Sequence, residues 1–246
     1  MQEKFILFYF LLFIVAFLYA SVGHGGASGY LALMAIFAIS PAVMKPTALL
    51  LNLFVSSTSF IQFYRGSHFK WKTFWPFALA SIPLSFVGGM IMIESSLYKK
   101  FLGILLLIPV VRFFFFRNTD PKEFKPSNIP LSLAFGGLIG LLSGLIGIGG
   151  GIILSPILLL LKWTDQKQTA AISAAFIFVN SVAGLGGQLI KGFEFNSYML
   201  SYVGVAFAGG ICGAYFGALK FRQNVLKNVL GFVLILAAYK LIFTQA

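Results

Sequence analysis

Acidic side chains are scarce in this chain: Asp and Glu together number six among 246 residues. All six (Glu3, Glu94, Asp120, Glu123, Asp165 and Glu194) fall in loops or at the ends of apolar runs. A proton pump or cation carrier usually keeps a carboxylate well inside such a run, and none is found there. Cysteine is nearly absent as well. The lone Cys212 excludes an internal disulfide and reads as a small packing residue. Two histidines, His24 and His68, are too few for a metal cluster built from Cys and His. An intramembrane hydrolase needs a nucleophile–base pair or metal ligands, and two histidines with no buried acid make a poor set for either. The chain therefore reads as a non-enzyme, without a metal or other cofactor.

Charge of either sign is sparse. Asp, Glu, Lys and Arg make up 10% of the residues, against about 25% in soluble domains. Hydrophobic residues make up 59% and the mean hydropathy is +0.94. A chain this apolar cannot cover its own surface with polar groups, so lipid must be part of its solvent. The apolar runs are continuous rather than alternating, which argues for helices and against a β-barrel. The expected fold class is an all-α polytopic membrane protein. Lys and Arg number 18, for a formal charge of +12. In a soluble protein that excess would suggest nucleic acid. Here the basic residues flank apolar segments, where they set orientation, and no nucleic-acid partner is expected.

Apolar runs fall at 5–22, 29–39, 47–64, 73–93 and 97–116, then at 130–146, 151–161, 169–190, 197–217 and 225–243. The longest polar connection, RNTDPKEFKPSNI at 117–129, reads as a central linker. The domain reading is therefore a first half over 1–117, a linker over 118–129 and a second half over 130–246. Segment 5–20 is read as a retained span, since Leu18-Tyr19-Ala20 is a poor leader-cleavage site. The halves match one another. At an offset of 124, Gly23, Gly25 and Gly26 fall on Gly147, Gly149 and Gly150, and Phe54-Val55-Ser56 on Phe178-Val179-Asn180. Two residues further, Gln62 meets Gln188 and Arg65 meets Lys191. Two more, and Lys99 meets Lys227 and Gly103 meets Gly231. Preserved order and coincident polar positions favour a duplication, a common building plan for transporters.

Residues 5–39 are too long for one crossing. As a single helix they would reach about 52 Å, against a hydrocarbon core of ~30 Å. The glycine-rich break within them must turn the chain or start a second helix. In one arrangement 5–39 is a single crossing or a re-entrant hairpin, and the halves are parallel. Lys and Arg then divide ten against eight between the two faces. In the other the break separates two segments and the halves are inverted. Residues 65, 70, 72, 112, 117, 122, 125, 162, 167, 220, 222 and 227 then share one face, twelve against six. Positive residues accumulate on the cytoplasmic side, so the inverted arrangement fits better and puts both termini outside. Segments 29–39 and 151–161 would each span about half the core. Each half is therefore expected to hold about four full spans plus a short half-helix after its break.

The two breaks, GHGGASG at 23–29 and GIGGG at 147–151, carry the expected site. Unwound backbone at membrane depth persists only where protein or a cavity satisfies it. A short helix begins after each break, near Ser28 and Ile152, and a helix N-terminus is a ready anion site. Close packing through small residues is the structural alternative. Polar residues recur on the following long segments. Asn52, Ser56 and Ser59 share one helical face, and Ser173, Asn180 and Ser181 share one stripe. Such groups either bind a substrate or hydrogen-bond between helices. The expected substrate contacts are Gly23, His24, Gly25, Gly26, Ser28, Asn52, Ser56, Gly147, Gly149, Gly150, Gly151, Ser173 and Asn180. His24, with a pKa near neutrality, and Lys45 are the candidates for anion contact or proton coupling. A histidine packed in the core and a lysine reaching to the interface are the plainer readings.

GHGGASGYLAL in the first half resembles the TauE/SafE sulfite exporter family, as do GIGGGIILSPILLLL and QTAAISAAFIFVNS in the second. The resemblance covers essentially the whole chain. It implies a multi-pass transporter of a bacterial inner membrane that carries sulfite, sulfoacetate or a similar sulfur-containing anion. The first motif departs from the second, with His24 and Ala27 where the second has Ile148 and Gly151. The implied partners are the bilayer, the anion and a coupling proton, and a homo-oligomer is compatible with the sequence. The alternative is a permease subunit or channel for another substrate that needs partner proteins.

Overall fold

The computed structural model describes residues 2–21, 25–115, 124–193 and 197–219, with 235, 238 and 239 beyond them. The described residues form helices joined by turns and loops. In chain order these are α1 Gln2–Ser21, α2 Ala27–Ile36, α3 Pro41–Arg65, α4 Trp71–Met90 and α5 Ser95–Phe115. α6 Ile129–Ile146, α7 Gly151–Leu160, α8 Gln166–Ile190 and α9 Ser197–Leu219 follow. Each matches an apolar run read from the sequence. The last run, 225–243, lies almost wholly outside the described residues. α3, α4, α6 and α8 are each long and apolar enough to cross a membrane. The protein is a multi-pass membrane protein. α2 and α7 are 10 residues each, about 15 Å at 1.5 Å per residue.

Local chemistry sets the helix ends. Pro41 and Pro130 stand in the first turns of α3 and α6, where a missing N–H costs nothing. Asn128 caps α6 by accepting from Leu131 N at 3.1 Å. Asp165 closes a capping box on α8: its carboxylate accepts from Gln168 N at 2.8 Å while Gln168 Oε1 accepts from Asp165 N.

Glycine fixes which helices touch. Gly136, Gly140 and Gly144 form a stripe on α6, one turn apart. A Cβ on each would run into the backbone of Phe77, Ser81 and Ser85 in turn. The rising order on both helices means that α6 runs beside α4 in the same direction. α9 meets α1 alike, with Gly209 on Phe13 and Gly213 on Phe17, and Tyr9 hydrogen-bonded to Ser201 at 2.6 Å. Such close backbone approach is how helices associate where lipid removes the hydrophobic driving force. α4 also runs parallel to α8, from Phe77 against Phe176 to Gly89 against Gly184.

The apolar core falls into two parts. One packs Tyr19, Tyr30, Leu31, Met34 and Leu51 between α1, α2, α3 and α9. The other packs Phe77, Ile139, Leu158, Trp163 and Phe176 between α4, α6, α7 and α8. At one end of the molecule the segment before α6 meets the turn after α7, with Lys125 N donating to Lys162 O at 2.8 Å. At the other end α3 begins where α4 stops, joined through Lys45.

Candidate functional site

Two 25-residue helices, α3 and α8, meet where the glycine breaks end. Asn52 and Ile177 each stand eleven residues after the first residue of their helix, at its midpoint. Gly25 and Gly149 come to this same place. A Cβ on Gly25 would lie 3.0 Å from Ile177 Cγ2 and 3.4 Å from Asn52 Oδ1. One on Gly149 would lie 2.7 Å from Asn52 Nδ2, 2.9 Å from Ile177 Cγ2 and 3.4 Å from Ser181 Oγ. The carboxamide of Asn52 therefore sits between the two breaks, with Ile177 beside both.

Why the chain bends here follows from backbone geometry. Gly26 and Gly150, the N-cap residues just before α2 and α7, have φ of 87° and 76°. Side chains disfavour this left-handed conformation and glycine does not. Both N-caps are glycine, so no N-cap side chain accepts from the first-turn N–H groups at the positive end of either short helix. Space is tight as well: a Cβ on Gly26 would strike Tyr30, and one on Gly150 would strike Ile139 and Phe176.

Asn52 is fully buried, and neither of its amide atoms has a hydrogen-bond partner among the described residues. The hydroxyls of Ser56, Ser59 and Ser181 and the carbonyl oxygen of the Asn180 side chain are buried in the same state. Each such group costs roughly 1–3 kcal/mol when left unsatisfied away from water. Asn52 and Ser181, which both lie beside Gly149, are expensive as mere packing. They are the arrangement expected of groups that serve a polar ligand.

Other residues expected at the site hold structural bonds. The Ser28 hydroxyl bonds Tyr19 at 2.7 Å. Ser173 bonds Ser155 at 2.8 Å, and Ser155 donates to Gly151 O. The Asn180 amide donates back to Phe176 O at 2.8 Å. Lys45 lies near the start of α3, and its ammonium faces the carbonyls of Gly88, Gly89 and Ile91 at 3.2–3.4 Å. There it neutralises the negative end of α4, and Gly147 packs on its backbone. Gly151 closes on Ile177 and Ser173 O. Gly23 and His24 lie outside the described residues. Ile177 carried no sequence signal, being one apolar residue among many.

Residues 8–241 match the family described as sulfite exporter TauE/SafE. A Sinorhizobium fredii protein named probable membrane transporter protein y4hK is 34% identical over 94% of this chain and 95% of its own length. A Bacillus subtilis protein named probable membrane transporter protein YunE is 25% identical over 83% of this chain and 82% of its own. An Arabidopsis thaliana protein named sulfite exporter TauE/SafE family protein 3 is 34% identical over 37% of this chain and 19% of its own. No solved structure matches. Family and multi-pass architecture agree, and the chain belongs to the TauE/SafE sulfite exporter family of membrane transporters.

Proposed function

We propose that the chain carries a small sulfur oxyanion, sulfite or an organosulfonate such as sulfoacetate, across a bacterial inner membrane by alternating access. One observation carries the reading: a fully buried, unpartnered Asn52 held between Gly25 and Gly149 at the midpoints of α3 and α8. An amide N–H and serine hydroxyls bind an oxyanion without the cost of burying a fixed counter-charge. The uncapped N-termini of α2 and α7 add two partial positive charges directed at one place. The amide carbonyl of Asn52 is free to accept from a protonated form of the anion, which makes hydrogen sulfite a suitable shape and charge.

The two halves are inverted repeats that rock about this site. Several contacts support that. α1 against α9 answers α4 against α6, and α2 against α3 answers α7 against α8, as exchange of halves requires. Lys125 and Lys162 share one end, which fits the twelve-to-six division of basic residues and not the ten-to-eight one. α2 and α7 both start at the centre and leave toward opposite ends, as half-helices do in inverted-repeat transporters.

The test is flux through purified protein in liposomes, with sulfite, thiosulfate, sulfoacetate, taurine, acetate and chloride as the panel. Uptake confined to the sulfur oxyanions, and lost with Asn52→Leu, is the expected result. Uptake that survives that substitution sinks the site. Silence on every anion for protein that is folded by thermal unfolding leaves a permease subunit that works only with partners.

A further inference from the structure

Six exposed cations gather at one end of the molecule. Arg65, Lys70 and Lys72 border the α3–α4 turn, Lys162 and Lys167 border the α7–α8 turn, and Lys125 precedes α6. The turns are tied together. Lys125 N donates to Lys162 O, the Lys70 ammonium lies 5.5 Å from the centre of the Phe124 ring, and Trp163 packs on Phe77 at 6.2 Å. The one described carboxylate at this end, Asp165, caps α8. Tyr64 and Trp71 stand exposed beside these cations at 59% and 62%, the placement of aromatic rings at a membrane–water interface.

Below this end, α4 and α8 leave a groove of about 640 Å³ between them. Its walls are apolar, with Pro83, Phe86 and Val87 on α4 facing Phe178, Val179 and Val182 on α8. Both helices start at the basic end. The groove begins at Ile82 and ends at Val87 on α4, which is ~16–24 Å below Trp71 at 1.5 Å per residue. One leaflet with its headgroups is about 20–22 Å deep. Lys72, Leu79 and Phe86 follow one another at spacings of seven, on a single stripe of α4. Lys167 stands eleven residues before Phe178, again on one stripe.

We propose that this seam binds an anionic phospholipid, with its phosphate at Lys70, Lys72 and Lys167 and an acyl chain in the α4–α8 groove. Charge decides the occupant. A second copy of the chain docking here would bring the same cations against these, and a zwitterionic lipid offers no net charge to answer them. Phe178 and Val182 flank Ile177 and Ser181 in sequence, so the lipid lies against the helix that lines the central site.

The experiment places the Phe178→Trp variant in phosphatidylcholine nanodiscs doped with a small fraction of chain-brominated lipid. Brominated phosphatidylglycerol is expected to quench the new tryptophan well beyond its mole fraction, and brominated phosphatidylcholine only in proportion to it. Adding Lys72→Gln and Lys167→Gln should cut the preference roughly 30-fold, at about fivefold for each cation removed. Equal quenching by the two lipids overturns the proposal, as does a preference that survives loss of both lysines. A tryptophan shielded from both lipids in a dimeric sample also overturns it, because a second copy would then fill the groove.

Discussion

Replacing Asn52 with leucine should make the protein more stable and stop it working. Two amide atoms of Asn52 are buried without partners, and each such group costs roughly 1–3 kcal/mol. Leucine keeps the branched shape and has no polar atom to strand, but its methyl groups are bulkier and press on Gly149 and Ile177. Together the two stranded atoms cost about 4 kcal/mol, and allowing about 2 kcal/mol for overpacking against Ile177 and Gly149, the net gain is about 2 kcal/mol. In a chain of this length each kcal/mol moves Tm by about 2–4 °C, so a rise of about 4–8 °C is expected. Transport should fall roughly 100-fold or more, because hydrogen bonds to a charged partner are worth about 1.5–3 kcal/mol each. The assay pairs thermal unfolding of purified protein with counterflow of labelled sulfite in liposomes. Sulfite at a hundred times its Kd should stabilise the wild type by about 2.7 kcal/mol and the variant by about 0.4 kcal/mol or less. A fall in Tm of the same size would refute the reasoning, since Asn52 would then be holding the helices together rather than waiting for a ligand.

Gly149→Ala should cost about 1–2 kcal/mol for its left-handed backbone and abolish flux, because the added methyl meets Asn52 and Ile177 at under 3 Å. Full flux in liposomes would remove Gly149 from the site. Ser173→Ala should keep transport within a few-fold and lower stability by about 0.5–1.5 kcal/mol, the value of its bond to Ser155; thermal unfolding and counterflow read the two effects separately. Gly140→Val should prevent stable accumulation in the membrane, since its Cβ falls on the Ser81 backbone and forces α4 from α6. Asp165→Ala should remove the capping box of α8 for about 0.5–2 kcal/mol, read as a lower Tm with transport unchanged.

Much of the architecture was legible without coordinates. Lipid leaves the backbone no partner but itself, so apolar runs must be helices, and the runs at 47–64, 73–93, 130–146 and 169–190 became α3, α4, α6 and α8. The breaks were legible because glycine tolerates the conformation that Gly26 and Gly150 adopt, and because the pattern occurs twice. The family was legible in the same motifs. What the residues could not tell was which polar groups are already bonded. Ser28 and Ser173 look like Asn52 and Ser181 in one dimension. Only packing gives the first two the partners Tyr19 and Ser155 and leaves the others alone. Lys45 was ambiguous for the same reason, until the end of α4 came within reach of its ammonium. Ile177 and the α4–α8 groove had no signal at all. A one-dimensional pattern fixes which residues are apolar and which segments turn, while contact between segments more than a hundred residues apart is decided by how backbones fit, here through the glycine stripe of α6 on α4.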